Sequence, residues 1–145
     1  MLSPLLRRVH HTGIVTADLE ASIALYERLF GASFHHRETL EEQGVVVALA
    51  ALPGGGEIEL LSPIHDGTGV ARFLAERGPG LHHTAYGVEN LESALETLRA
   101  SGVELIDAAP RPGAGGLRVA FLHPRSTGRA LIELVETPEG DKHHA

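Results

Sequence analysis

Two histidine pairs and two isolated glutamates recur in the same order along the chain. His10-His11-Thr12 returns as His82-His83-Thr84, 72 residues later, and Ile58-Glu59-Leu60 returns as Ile132-Glu133-Leu134, 74 residues later. Between them, Asp18-Leu19-Glu20-Ala21-Ser22 is answered at the first offset by Asn90-Leu91-Glu92-Ser93-Ala94, so the two-residue difference belongs to a loop. Three matches in order mark an internal duplication. Neighbouring side chains in a strand point to opposite faces, so one histidine of each pair can look into a shared site. His11 shares its face with Gly13, and His83 with Ala85 and Gly87, whereas His10 and His82 share theirs with Thr12, Ile14, Thr84 and Tyr86. Small neighbours leave room for an ion and a ligand. Glu59 and Glu133 each sit between two apolar residues and so face away from the side those residues pack. His11, Glu59, His83 and Glu133 thus make a set of borderline and hard ligands for a divalent metal, with coordination positions left for water or substrate. Taken singly, each Glu could sit on a solvated strand face and each His could be a satisfied core residue. The repetition of all four favours the metal.

Such a set needs matched elements to carry it, and each half reads as strand, helix, then strands punctuated by Gly and Pro. In the first half the spacing predicts a strand near Val9 to Thr16 and a helix capped by Asp18. Ile23, Tyr26, Leu29 and Phe30 form its apolar face, and Gly31 ends it. Strands follow around Ser33 to Arg37, Val45 to Leu52 and Glu57 to Leu61. A short linking helix is expected over Gly69 to Arg77. The second half reads as a strand at Leu81 to Val88 and a helix from about Leu91 to Ala100 closed by Gly102. Strands are then expected near Val103 to Ile106, Leu117 to Leu122 and Ala130 to Val135. The expectation is an α+β protein of two βαβββ modules related by a pseudo-twofold, in one curved eight-stranded mixed sheet with helices on the outer face. The 145 residues would form a single domain, with module one at about 8–62, the linking helix at about 68–78 and module two at about 80–137.

Composition narrows the function. Twelve Lys or Arg against 19 Asp or Glu give a net charge of -7, which offers no electrostatic footprint for nucleic acid. At 43% hydrophobic the chain is not of the disordered class, and its apolar runs are too short to cross a bilayer. With no cysteine, disulfides, thiolate nucleophiles and Cys-ligated zinc are excluded, and ligand type alone does not favour zinc over cobalt, nickel, manganese or iron. Met1 to Arg8 does not read as a signal peptide, so a cytoplasmic location is expected. The tail Asp141 to Ala145 reads as a solvated terminus. His35-His36 read as strand-edge residues and His65 as a loop residue. The run Pro110 to Gly116 is glycine-rich but lacks a GK[ST] ending, so it reads either as a plain loop or as a lid whose backbone amides approach an anionic ligand. His123 to Gly128 is a second such loop, placing Arg125 and Ser126 toward the site mouth.

These residues resemble the vicinal-oxygen-chelate superfamily, and within it the methylmalonyl-CoA epimerases. The matching stretches are His11 to Ile14, Glu42 to Val45, Glu57 to Leu61, Gly80 to His83, Pro110 to Gly116, and Phe121 to Gly128 through Leu131 to Leu134. The resemblance runs from about Val9 to Glu136. It implies interconversion of (R)- and (S)-methylmalonyl-CoA by proton transfer alpha to the thioester, through an enolate stabilised by a divalent metal. Cobalt is the metal implied first, with zinc, nickel, manganese or iron as alternatives. It also implies a homodimer acting on a small-molecule CoA thioester. Glu133 carries over as ligand and acid/base. Some members place a second glutamate where this chain has Val47, which has no proton to transfer, leaving Glu59 for the other face of the intermediate. A glyoxalase I-like isomerase acting on a glutathione hemithioacetal would use the same four ligands. A ring-cleaving dioxygenase would need only two His and one carboxylate around iron, and a metal-free binding module would need none of the four.

Overall fold

The computed structural model describes residues 6–137; the N-terminal segment before Leu6 and the C-terminal tail lie outside the described residues. The strands are β1 (Leu6–Val15), β2 (Ser33–Leu40), β3 (Val45–Ala51), β4 (Glu57–Pro63), β5 (Gly80–Val88), β6 (Arg111–Pro112), β7 (Arg118–Leu122) and β8 (Ile132–Glu136). The helices are α1 (Leu19–Phe30), α2 (Gly69–Arg77) and α3 (Leu91–Ala100). The strands form an eight-stranded sheet, hydrogen-bonded in the order β2-β3-β4-β1-β5-β8-β7-β6. It is mixed: β1 with β4 and β5 with β8 are parallel, while the pairs β2/β3, β3/β4, β7/β8 and β6/β7 are antiparallel. The chain divides into two compact units, residues 11–82 and residues 1–10 with 83–145, so that β1 and β5 each give residues to both.

In the unit of residues 11–82, Asp18 caps α1 by accepting the Ala21 N–H at 3.0 Å, and Gly31 closes it in the left-handed conformation at φ 65°. Leu19, Ile23 and Tyr26 of α1 pack against Ile14, Ala48, Ile58 and Leu60. The apolar partners of Glu59 are therefore consumed by the helix, and Glu59 is left on the opposite face. In the other unit Asn90 caps α3 through the Ser93 N–H at 2.9 Å, the counterpart of Asp18 at the repeat offset. Leu91, Ala94 and Leu95 pack against Val88, Ala120, Leu122 and Leu134, again leaving Glu133 on the far face. That far face carries a small cluster of its own, Ala85, Val119 and Val135.

Gly44 requires glycine on two counts. Its φ is +71°, and a Cβ there would stand 2.3 Å from Cγ2 of Thr68, the residue whose hydroxyl caps α2. Left-handed strain and overpacking add, so Gly44→Ala is expected to cost about 3 kcal/mol in stability. Urea denaturation measures it, and a loss below about 0.5 kcal/mol would contradict the packing described.

One expected strand is corrected. Val103 to Ile106 is not a ladder strand but a single antiparallel bridge, Leu105 to Leu122. The Asp107 carboxylate ends it by accepting the Phe121 N–H at 2.8 Å, and the Glu104 N–H goes to the Ser126 hydroxyl at 2.9 Å. The eighth strand is instead the two-residue β6. The strands read at Leu117 and Ala130 begin one and two residues later, at Arg118 and Ile132.

Candidate metal and substrate site

Each unit presents one buried histidine beside one buried glutamate, reached by the same register. In the first, Gly13 of β1 pairs with Glu59 of β4, which puts His11 two residues from the residue opposite the carboxylate. His11 Nε2 and Glu59 Oε1 are 3.7 Å apart, with side chains 7% and 8% exposed. In the second, Ala85 of β5 pairs with Glu133 of β8, and His83 again stands two residues before the paired position. His83 Nε2 and Glu133 Oε1 are 3.4 Å apart, with side chains 1% and 8% exposed. The parity inferred from Gly13 and Ala85 is what the strands show: His11 and His83 share their faces with the glutamates. Phe121 lies opposite Glu133 in the β7/β8 ladder, and its ring packs edge-on against His83 at 5.4 Å between centroids.

The donor set tests well against a divalent ion. Two ligand atoms held about 2.1 Å from one ion at a tetrahedral angle stand about 3.4 Å apart; the His83–Glu133 pair has that separation, and the His11–Glu59 pair is wider at 3.7 Å. A carboxylate is costly to bury unless a cation or hydrogen bonds compensate it, and both glutamates are buried on their site faces. Within each unit the imidazole and carboxylate stand side by side and buried, residue types that can ligate a divalent metal.

Other residues singled out from the sequence fall as follows. His35 is the extra residue of a bulge in edge strand β2, with Nε2 3.9 Å from Glu57 Oε1, and His36 Nε2 lies 2.8 Å from Glu38 Oε1. His65 is in an exposed turn, its Nδ1 on the Asp66 carbonyl. Arg125 pairs with Glu104 at 2.8 Å, so this guanidinium and the Ser126 hydroxyl both serve Glu104. The glycine-rich run bends through left-handed Gly115 and Gly116. Val47 is fully buried, with Glu38 on one side of it in the ladder and Leu61 on the other. Sequence reasoning passed over Glu38, although its alternation with His36 on β2 places both on one face.

A duplicated βαβββ pattern with a buried His and Glu in each half defines a class. Residues 10–121 match the Glyoxalase/Bleomycin resistance protein/Dioxygenase superfamily, and the chain belongs to it. More narrowly, it is a member of the methylmalonyl-CoA epimerase family. It is 37% identical over 130 residues to the ethylmalonyl-CoA/methylmalonyl-CoA epimerase of Cereibacter sphaeroides, covering 88% of this chain and 96% of that protein. The crystal structure of methylmalonyl-CoA epimerase from Mycobacterium tuberculosis superposes with a TM-score of 0.89 at 37% identity, over 97% of this chain and 94% of that one. A methylmalonyl-CoA epimerase solved in complex with methylmalonyl-CoA and NH4+ gives a TM-score of 0.86 at 34% identity, over 92% and 96% of the two chains. Among the described residues no helix is long and apolar enough to cross a membrane.

Proposed function

We propose that this chain is a metal-dependent epimerase that interconverts (R)- and (S)-methylmalonyl-CoA, with His11, Glu59, His83 and Glu133 holding one divalent ion. The observation that carries the reading is the recurrence of one geometry, a buried His–Glu pair at matched registers in both units. His11, His83 and Glu133 each offer one donor atom to a candidate metal group among the described residues; Glu59 is not in that group and enters the proposed set through its place beside His11. Family membership with epimerases of CoA thioesters supplies the substrate class.

The proton to be moved sits on the carbon between thioester and carboxylate, which is a far weaker acid than a side-chain carboxyl. A bound divalent ion supplies Lewis-acid stabilisation of the negative charge that develops on the substrate oxygens when that proton leaves. The remaining work falls to the protein. The Glu133 carboxylate takes the proton from one face of the carbon, forming its O–H as the C–H pair becomes the enolate π bond. Glu59, protonated, returns a proton to the opposite face and is left as the carboxylate, so each turnover in one direction is matched by the reverse assignment in the other. Burial of both groups keeps bulk water from competing for the planar intermediate.

The whole 145 residues act in this reading as one catalytic domain. The lack of cysteine fits a reducing cytoplasm, and a homodimer and cobalt are carried by the family resemblance alone. Elemental analysis of the purified protein tests the reading: it predicts about one transition-metal ion per chain. A fully active, metal-free protein would overturn it.

A further inference from the structure

The face of β5, β7 and β8 that carries His83 and Glu133 continues to a cation that the reaction scheme above does not use. Arg111 of β6 pairs with Val119, Val119 with Val135, and Phe121 with Glu133, so Arg111, Phe121 and Glu133 lie on one side of the ladder. The Arg111 guanidinium carbon stands 5.7 Å from the Phe121 ring centroid, and the same ring meets the His83 imidazole at 5.4 Å between centroids, the two ring planes 84° apart. Asp107 holds the group from behind: its Oδ1 is 3.4 Å from Arg111 Nε, and its Oδ2 is fixed by the Phe121 N–H at 2.8 Å. Arg111 Nε is itself buried and makes no hydrogen bond, while 37% of the side chain remains exposed. A guanidinium within cation–π range of an aromatic ring, steadied by one carboxylate and separated from a candidate metal ligand by one ring, is preorganised for a second carboxylate.

We infer that Arg111 is a positioning and specificity residue, whose guanidinium receives the free carboxylate of the acyl group and makes the site select malonyl-type thioesters over simple acyl thioesters. This rests on the epimerase reading. The phosphates of CoA are the other anions of such a substrate, but they lie at the far end of the pantetheine arm, whereas Arg111 adjoins the residues placed at the reacting carbon. Beyond orienting the substrate, a cation at that carboxylate opposes the build-up of negative charge on the neighbouring carbon.

Calorimetric binding of malonyl-CoA and acetyl-CoA to the metal-loaded protein separates the two anions, because the thioesters share every phosphate and differ in the carboxylate. The wild type is expected to prefer malonyl-CoA, and Arg111→Met to reduce that preference about tenfold with acetyl-CoA binding changed less than about twofold. Arg111→Lys, which keeps the charge and loses the fork, should fall between them, and it carries the test alone if the Met variant does not fold. An unchanged preference in the variants, or an equal loss for both thioesters, would overturn the assignment. Failure of the wild type to bind either thioester would instead overturn the epimerase reading, and the role of Arg111 with it.

Discussion

Glu133→Gln is expected to lower epimerisation of methylmalonyl-CoA by roughly 10² to 10⁴-fold while leaving bound metal largely in place. The amide keeps an oxygen donor beside His83, 3.4 Å away in the native pair, and removes the basicity that proton abstraction needs. Glu59→Gln should behave in parallel, because its carboxylate stands in the same register relation to His11. The pair becomes diagnostic when proton exchange is followed with each stereoisomer separately. If each carboxylate serves one face, each variant still exchanges the proton of one isomer with solvent and fails to interconvert them. Wild-type rates in Glu59→Gln would make Glu59 a ligand only. The second acid would then be sought among Glu41, Glu42 and Glu38, the last of which stands opposite Val47 in the β2/β3 ladder.

His83→Ala carries the other large effect. Its side chain is 1% exposed, beside Glu133 and the Phe121 ring, so truncation removes a proposed ligand and opens the site at once. Metal content is expected to fall from about one ion per chain to near zero, and activity by roughly 10³-fold, since Lewis-acid stabilisation of the developing charge is worth several kcal/mol. Thermal melting supplies an independent readout: added metal should raise the melting temperature of the wild type, by preferential binding to the folded state, and not that of the variant. Full metal content in His83→Ala would remove this residue from the ligand set.

The parts of the fold legible in the sequence were those set by local rules. Asp18 and Asn90 announce helix starts because a side-chain oxygen before an apolar stripe caps free N–H groups, and both caps are present. The face of each histidine and glutamate followed from strand alternation, which holds because Ile58, Leu60 and Leu134 are taken up by the helical side. Less legible was whatever depends on a distant partner. Val103 to Ile106 has strand composition, but the ladder there stops when Asp107 takes the Phe121 N–H, a side-chain bond across 14 residues that no local pattern encodes. Arg111 was visible only as one residue of a glycine-rich run. Its place over the Phe121 ring and on the Glu133 face arises from the two-residue pairing of β6 with β7, too short for any periodicity to show.

The most direct measurement is deuterium incorporation at the carbon between thioester and carboxylate when each isomer of methylmalonyl-CoA is incubated with the metal-loaded protein in deuterated water, run beside a hemithioacetal isomerase assay. The account predicts enzyme-dependent uptake of one deuteron from either isomer, formation of the opposite isomer, and no comparable turnover of the hemithioacetal. Turnover of the hemithioacetal with no deuterium entering methylmalonyl-CoA would contradict it.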